Sequence, residues 1–161
     1  VSASRRRPKR PYAIRKPREY RALGPGDIVR VDTLDLRPIP DVVLKQFTAC
    51  DVFSRWDVVE VFTSATATAA TQFLEAMKER FPFPIRAIQV DGGSESGGPF
   101  EPRCQQDGIH LFVLPAPGGS PKLNGHVERA QRTQSEEFWE CYDGDLDIAS
   151  ARRALRRWQH L

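Results

Sequence analysis

Three carboxylates in this sequence stand where a fold could gather them. They are Asp32 in "VRVDTL", Asp91 at the end of "RAIQVD" and Glu128 in "PKLNGHVERAQRT". Carboxylates brought side by side repel, so such a group either raises one pKa or takes up a cation. With no His or Cys among them the set is hard and all-oxygen. That suits Mg²⁺ or Mn²⁺, with water and substrate oxygens completing an octahedron. Taken singly, each acid is more often a hydrogen-bonded strand or helix residue. Glu128 sits among Lys122, His126, Arg129 and Arg132, and its plain reading is an ion pair with Arg132 four residues on. Asp35 competes with Asp32, but strand alternation turns it to the opposite face. Asp51 has the pattern of a paired strand acid and could also stand behind the group and orient it.

Whether the three acids meet depends on the elements that carry them. "DIVRVDTL" (27–34) alternates and is rich in β-branched residues, which predicts a strand ended by "RPIPD". "KQFTACDVF" (45–53) and "DVVEVF" (57–62) follow as two more strands, so the first three form an antiparallel meander. Ala70, Phe73, Leu74, Met77 and Phe81 then fall at helical spacing, and "PFP" stops that helix. "RAIQVD" (86–91) is a short strand, residues 92–108 hold a short helix, and "IHLFVL" (109–114) is the last strand. "PAPGGSPKLNG" (115–125) is a loop. Asn124 can cap a helix through "VERAQRTQSEEFWECY" with Val127, Ala130, Phe138 and Cys141 on its apolar stripe, stopped by Gly144. A final helix over 147–161 sets Ile148, Ala151, Leu155 and Trp158 on one face. Arg152, Arg153, Arg156 and Arg157 lie mostly on another, read as a solvated face in preference to a contact with DNA or a partner subunit.

Right-handed crossovers place the fourth strand parallel to the first and beside it, with the fifth outside the fourth. The expected fold is α/β, a five-stranded mixed sheet in the order 3-2-1-4-5 flanked by helices. In that order Asp32 and Asp91 lie on neighbouring central strands near one sheet edge, with Gly92 and Gly93 turning the chain away from Asp91. Glu128 enters on the helix after the glycine-rich loop.

The bulk of the chain agrees with a single domain. It has 161 residues, 40% of them hydrophobic, and no apolar run near the length of a membrane span. Three scattered cysteines, with no Cys-x-x-Cys, argue for reduced thiols in a cytoplasmic compartment and against zinc. Charge is uneven: residues 1–23 carry nine Lys/Arg against Glu19, whereas the remainder is net acidic. We therefore expect a basic linker or arm over 1–23, suited to a polyanion, and a core over 24–161.

"VDT" (31–33), "VDGGSE" (90–95) and "SPKLNGHVERAQRT" (120–133) together resemble the three acidic blocks of the DDE integrase/transposase catalytic core. That core is shared by retroviral integrases and bacterial insertion-sequence transposases. "DVFSRW" (51–56) is similar to the family's second-strand block, and thirty-six residues separate Asp91 from Glu128, close to the family spacing. The second block departs from the usual Asp-Asn-Gly-Ser-Glu-Phe at Gly92 and Ser96. "ALRRWQHL" looks like the lead-in to a further block, which implies an excised core truncated at its C-terminal end.

The resemblance implies a ribonuclease-H-like fold and metal-dependent DNA 3′-end cleavage and strand transfer. Asp32, Asp91 and Glu128 would be the catalytic and metal-binding residues for two Mg²⁺ or Mn²⁺ ions. Lys122, Asn124, Arg129 and Arg132 would contact the DNA backbone, with His126 less clearly placed. The implied partners are transposon-end and target DNA and further copies of the chain, in a bacterial, nucleoid-associated setting with no membrane. Two other readings stay open: a catalytically silent DNA-binding or assembly module of the same fold, and a different ribonuclease-H-like nuclease.

Overall fold

The computed structural model describes residues 12–39, 41–91, 99–114, 125–144 and 147–160, with the side chains of 38–39 and 125–128 outside that description. Five strands, β1 (Val29–Ile39), β2 (Val42–Asp51), β3 (Asp57–Phe62), β4 (Ala87–Val90) and β5 (His110–Val113), form one sheet in the order β3-β2-β1-β4-β5. The first three pair antiparallel, and β1–β4 and β4–β5 pair parallel. The architecture expected from the crossovers is thus the one observed. Helices α1 (Ala67–Arg80), α2 (Phe100–Gln106), α3 (Gly125–Glu137) and α4 (Ile148–Gln159) flank the sheet.

"RPIPD" does not end β1 as expected. The strand runs on to Ile39, and the proline that lacks an N–H falls where the β1–β2 register shifts between Leu36 and Ile39. Helix α1 starts where Thr66 accepts a hydrogen bond from the Ala69 N–H at 3.1 Å, and its Phe73, Leu74 and Met77 are essentially fully buried. With Val29, Phe47, Val58 and Ile88 they form the larger core, each big side chain worth about 1.5–3 kcal/mol on burial. Gly26 joins three parts of this layer. Its N–H reaches Asp51 Oδ1 at 2.9 Å and its carbonyl accepts from Arg86 N at 2.8 Å. Its φ is +83°, and a Cβ there would sit 2.0 Å from the Pro84 carbonyl oxygen, so only glycine fits.

The second core lies across the sheet, where Leu36, Leu44, Val59, Val61, Phe138 and Leu155 meet under α3 and α4. Here two expectations fail. Helix α3 ends at Glu137 and a 3₁₀ turn over Trp139–Cys141 follows, which leaves Cys141 exposed instead of on a buried stripe. Nor is the arginine face of α4 simply solvated. Arg152 and Arg156, with Arg80 of α1, surround the carboxylate of Glu60, a β3 residue only 3% exposed. Arg80 and Arg152 also donate to the carbonyls of Val59 and Val61, which caps the outer edge of β3. The proposed cap at Asn124 lies outside the described residues.

At the other sheet edge, residues from Tyr12 onward run beside β5. Ile14 pairs parallel with Phe112, Glu101 accepts from the Tyr12 and Ala13 N–H groups, and the Tyr20 ring packs edge-on to Phe112 at 4.9 Å. Among the described residues, no helix is long and apolar enough to cross a membrane.

Candidate metal and nucleic-acid site

Strand β1 presents alternate residues to the two cores. Val29 and Val31 pack toward α1. Arg30 donates to Gln89 Oε1 at 3.2 Å, and Asp32 lies 3.5 Å from Gln131 Nε2 of α3, so these even positions face α3. Asp35 follows the odd face, as expected, and pairs with Lys45 at 2.5 Å. In the parallel β1–β4 ladder Val29 pairs with Ile88 and Arg30 with Gln89. The same offset carried two residues further would put Asp32 and Asp91 on one rung, about 4.8 Å apart. Asp32 is half-buried and Asp91, just past β4, is exposed. Asp32 Oδ1 also accepts the Thr33 N–H at 2.9 Å.

Helix α3 crosses this rung. Gln131, which is buried, meets Asp32 one helical turn after position 128. The Glu128 backbone therefore belongs to the first turn of a helix laid over Asp32, while its side chain is outside the described set. Among the described residues, no three potential metal ligands cluster. Both aspartates also border a cavity of about 20 Å³ walled by Phe47, Phe73 and Phe100. That void is apolar and belongs to the α1 packing layer, so it is no ligand site.

The α3 face that packs on the sheet is more polar than its apolar stripe suggested. Gln134 is fully buried, accepts from Gln46 Nε2 at 2.6 Å and Thr48 Oγ1 at 3.2 Å, and donates to Asp57 Oδ2 at 2.9 Å. Trp139 Nε1 closes the cluster on Gln46 Oε1 at 2.5 Å. Burial pushes the Asp57 carboxyl up, and the Gln134 hydrogen bond offsets this only in part. Every member has a partner, so the cluster fixes how α3, and the turn carrying Glu128, sits on β1 and β2. Polar residues on a helix read as solvent-facing in sequence. The one usable signal was that glutamines 131 and 134 fall a turn apart on the Glu128 side.

The other expected site residues divide. Asp51 is not part of the acidic group. It lies opposite Val29, three residues along from the Thr48 that faces Asp32, or about 10 Å away. Fully buried, it accepts from Gly26 N and from Ser54 N at 2.7 Å, holding the β2–β3 hairpin. Arg129 is exposed. Arg132 is exposed and pairs with Glu136 at 2.7 Å, where sequence suggested Glu128 as its neighbour. Lys122 and Asn124 lie outside the described residues, as does the His126 side chain. The two buried cysteines offer no rival chemistry: burial pushes Cys50 up to about 11 and Cys104 up to about 12, which leaves both as thiols.

The chain is similar in structure to the catalytic core domain of BIV integrase, with a TM-score of 0.62 and 20% sequence identity over 80% of this chain and 78% of that one. At that identity the likeness establishes the fold, an integrase-like core of ribonuclease-H type, and not the chemistry. No protein-family model matches the chain, and no curated protein matches it.

Proposed function

We propose that the chain is the catalytic core of a DNA transposase or integrase of the DDE type, and that Asp32, Asp91 and Glu128 are its metal-binding carboxylates. The observation that carries the reading is the parallel β1–β4 register, which carried onward would bring Asp32 and Asp91 together beside the helix that bears Glu128, where Gln131 of that helix meets Asp32. The residues fit a hard divalent cation. Two carboxylates a strand apart would repel unless charge were placed between them, and all three proposed ligands offer oxygen alone. The likeness to the BIV integrase core adds weight at the level of fold.

Two Mg²⁺ or Mn²⁺ ions, when bound, would supply charge stabilisation for an in-line phosphoryl transfer on DNA. Asp32, central and half-buried, would hold the ions together with Asp91 and Glu128. The polar cluster around Gln134 fixes the pitch of α3, and Gln131 steadies the Asp32 oxygen it faces. Lys122, Asn124, Arg129 and Arg132 would offset the repulsion between the acidic rung and the phosphodiester. No Ser, Tyr or Cys nucleophile is required.

Labelled DNA ends incubated with plasmid and Mn²⁺ test the proposal. Joined product that disappears in Asp91→Asn supports it. Cleavage of junctions or hybrids without joining would instead favour another ribonuclease-H-like nuclease, and binding with neither cleavage nor joining an assembly module. The family is known for acting as multimers on paired ends, so the assay needs the full chain. Whether that chain comes from a bacterial insertion sequence is part of the same proposal.

A further inference from the structure

We infer that a nucleic-acid strand leaves the acidic rung along a basic and aromatic path formed by Arg30, Arg55 and the exposed rings of Trp56 and Phe53. The inference rests on the function proposed above and says where the substrate lies. On the α3 face of the sheet, the row next to Asp32 reads Asp57, Cys50, Arg30, Gln89 and Phe112 from β3 to β5. Arg30 is thus the same-face neighbour of Asp32, about 7 Å along β1. Its described hydrogen-bond partner is the neutral amide of Gln89, and among the described residues it forms no ion pair. A half-buried guanidinium one step from the metal-binding acids is placed to take the phosphate next to the reacting one.

Arg55 extends the path. Burial first, and then repulsion from Arg55, hold Arg30 below the usual arginine range, and Arg55 also lowers the Cys50 thiol. The hairpin that carries Arg55 closes at the Cys50–Asp57 pair, the row in which Arg30 lies opposite Cys50. Arg55 tips the β2–β3 hairpin with a φ of +67°, a left-handed conformation held because its N–H donates to the Asp51 carbonyl at 3.0 Å. On either side of it Phe53 and Trp56 are 53% and 52% exposed. Aromatic rings flanking an arginine on a fixed hairpin suit unpaired bases, which stack without regard to sequence. Asp57, at the β3 end of that row, is hydrogen-bonded to Gln134.

Binding of a fluorescein-labelled duplex bearing a single-stranded thymidine tail, measured in Ca²⁺ across a salt series, tests the path. Arg30→Gln should weaken binding about tenfold and reduce the salt slope by about one, with Arg30→Lys restoring the slope. Trp56→Ala should weaken the tailed duplex roughly tenfold and the blunt duplex little, with the slope unchanged. The basic arm contributes equally to every variant. If folded Arg30→Gln and Trp56→Ala bind as wild type does, the path is wrong even where joining still depends on Asp91. If wild type neither binds nor joins DNA, the path and the proposed function fall together.

Discussion

Two places in this molecule use the same residue type to opposite ends. Glu60 on β3 is 3% exposed and lies among three guanidiniums, two of which also cap the strand edge. Asp32, half-buried on β1, and Asp91, exposed just past β4, stand where the β1–β4 register carried onward would bring them to one rung. At Glu60 the protein supplies its own cations and spends them on architecture, tying α1 and α4 to an edge strand. On the proposed rung like charges would stand together, an arrangement that a bound cation would stabilise. An acid's role here is decided by what the fold places beside it.

Substitutions should separate the two places cleanly. On the rung, Asp32→Asn, Asp91→Asn and Glu128→Gln should each cut joining by about a thousandfold or more, some 4 kcal/mol on the barrier, without lowering the melting temperature. Joining rates alongside calorimetry check this, and a variant that loses its fold together with activity would erase the contrast. Glu60→Ala should do the reverse, losing about 3 kcal/mol of stability on denaturant unfolding because three arginines lose their shared partner.

Between these lies the polar cluster that seats α3. Gln134→Ala leaves Gln46, Thr48 and Asp57 without a shared partner, and should cost about 2 kcal/mol in urea unfolding. Its activity loss should exceed what stability explains, since α3 carries Glu128. The smallest effect has the opposite sign. Burial raises the Asp57 pKa above its ordinary 3.8, so its favourable contribution is present below the unfolded pKa and is lost as pH rises through the folded value. Asp57→Asn, which still accepts from Gln134, should therefore melt slightly higher than wild type at neutral pH. That advantage should fade as the pH falls toward about 4.

What sequence alone made legible follows from periodicity. Alternation in β1 separated Asp32 from Asp35, and crossover handedness placed β4 beside β1, so the strand order was readable before any coordinates. The pairings that are not periodic were hidden. Glu60 meets Arg152 and Arg156 more than ninety residues away in sequence, and the only hints were an acid inside "DVVEVF" and two arginines four apart. Gln131 and Gln134 look like surface residues until the strand polar groups beneath them are seen. Whether Asp51 stood behind the acidic group was not legible, because a strand acid carries no mark of its distance along the ladder.

The central claim is that Asp32 and Asp91 hold divalent metal together with Glu128. Anomalous diffraction from Mn²⁺-soaked crystals tests it most directly. The account predicts manganese between the Asp32 and Asp91 carboxylates with a Glu128 oxygen in its coordination sphere, absent from Asp91→Asn crystals. Carboxylates turned to opposite sheet faces, or manganese bound only elsewhere, would contradict it.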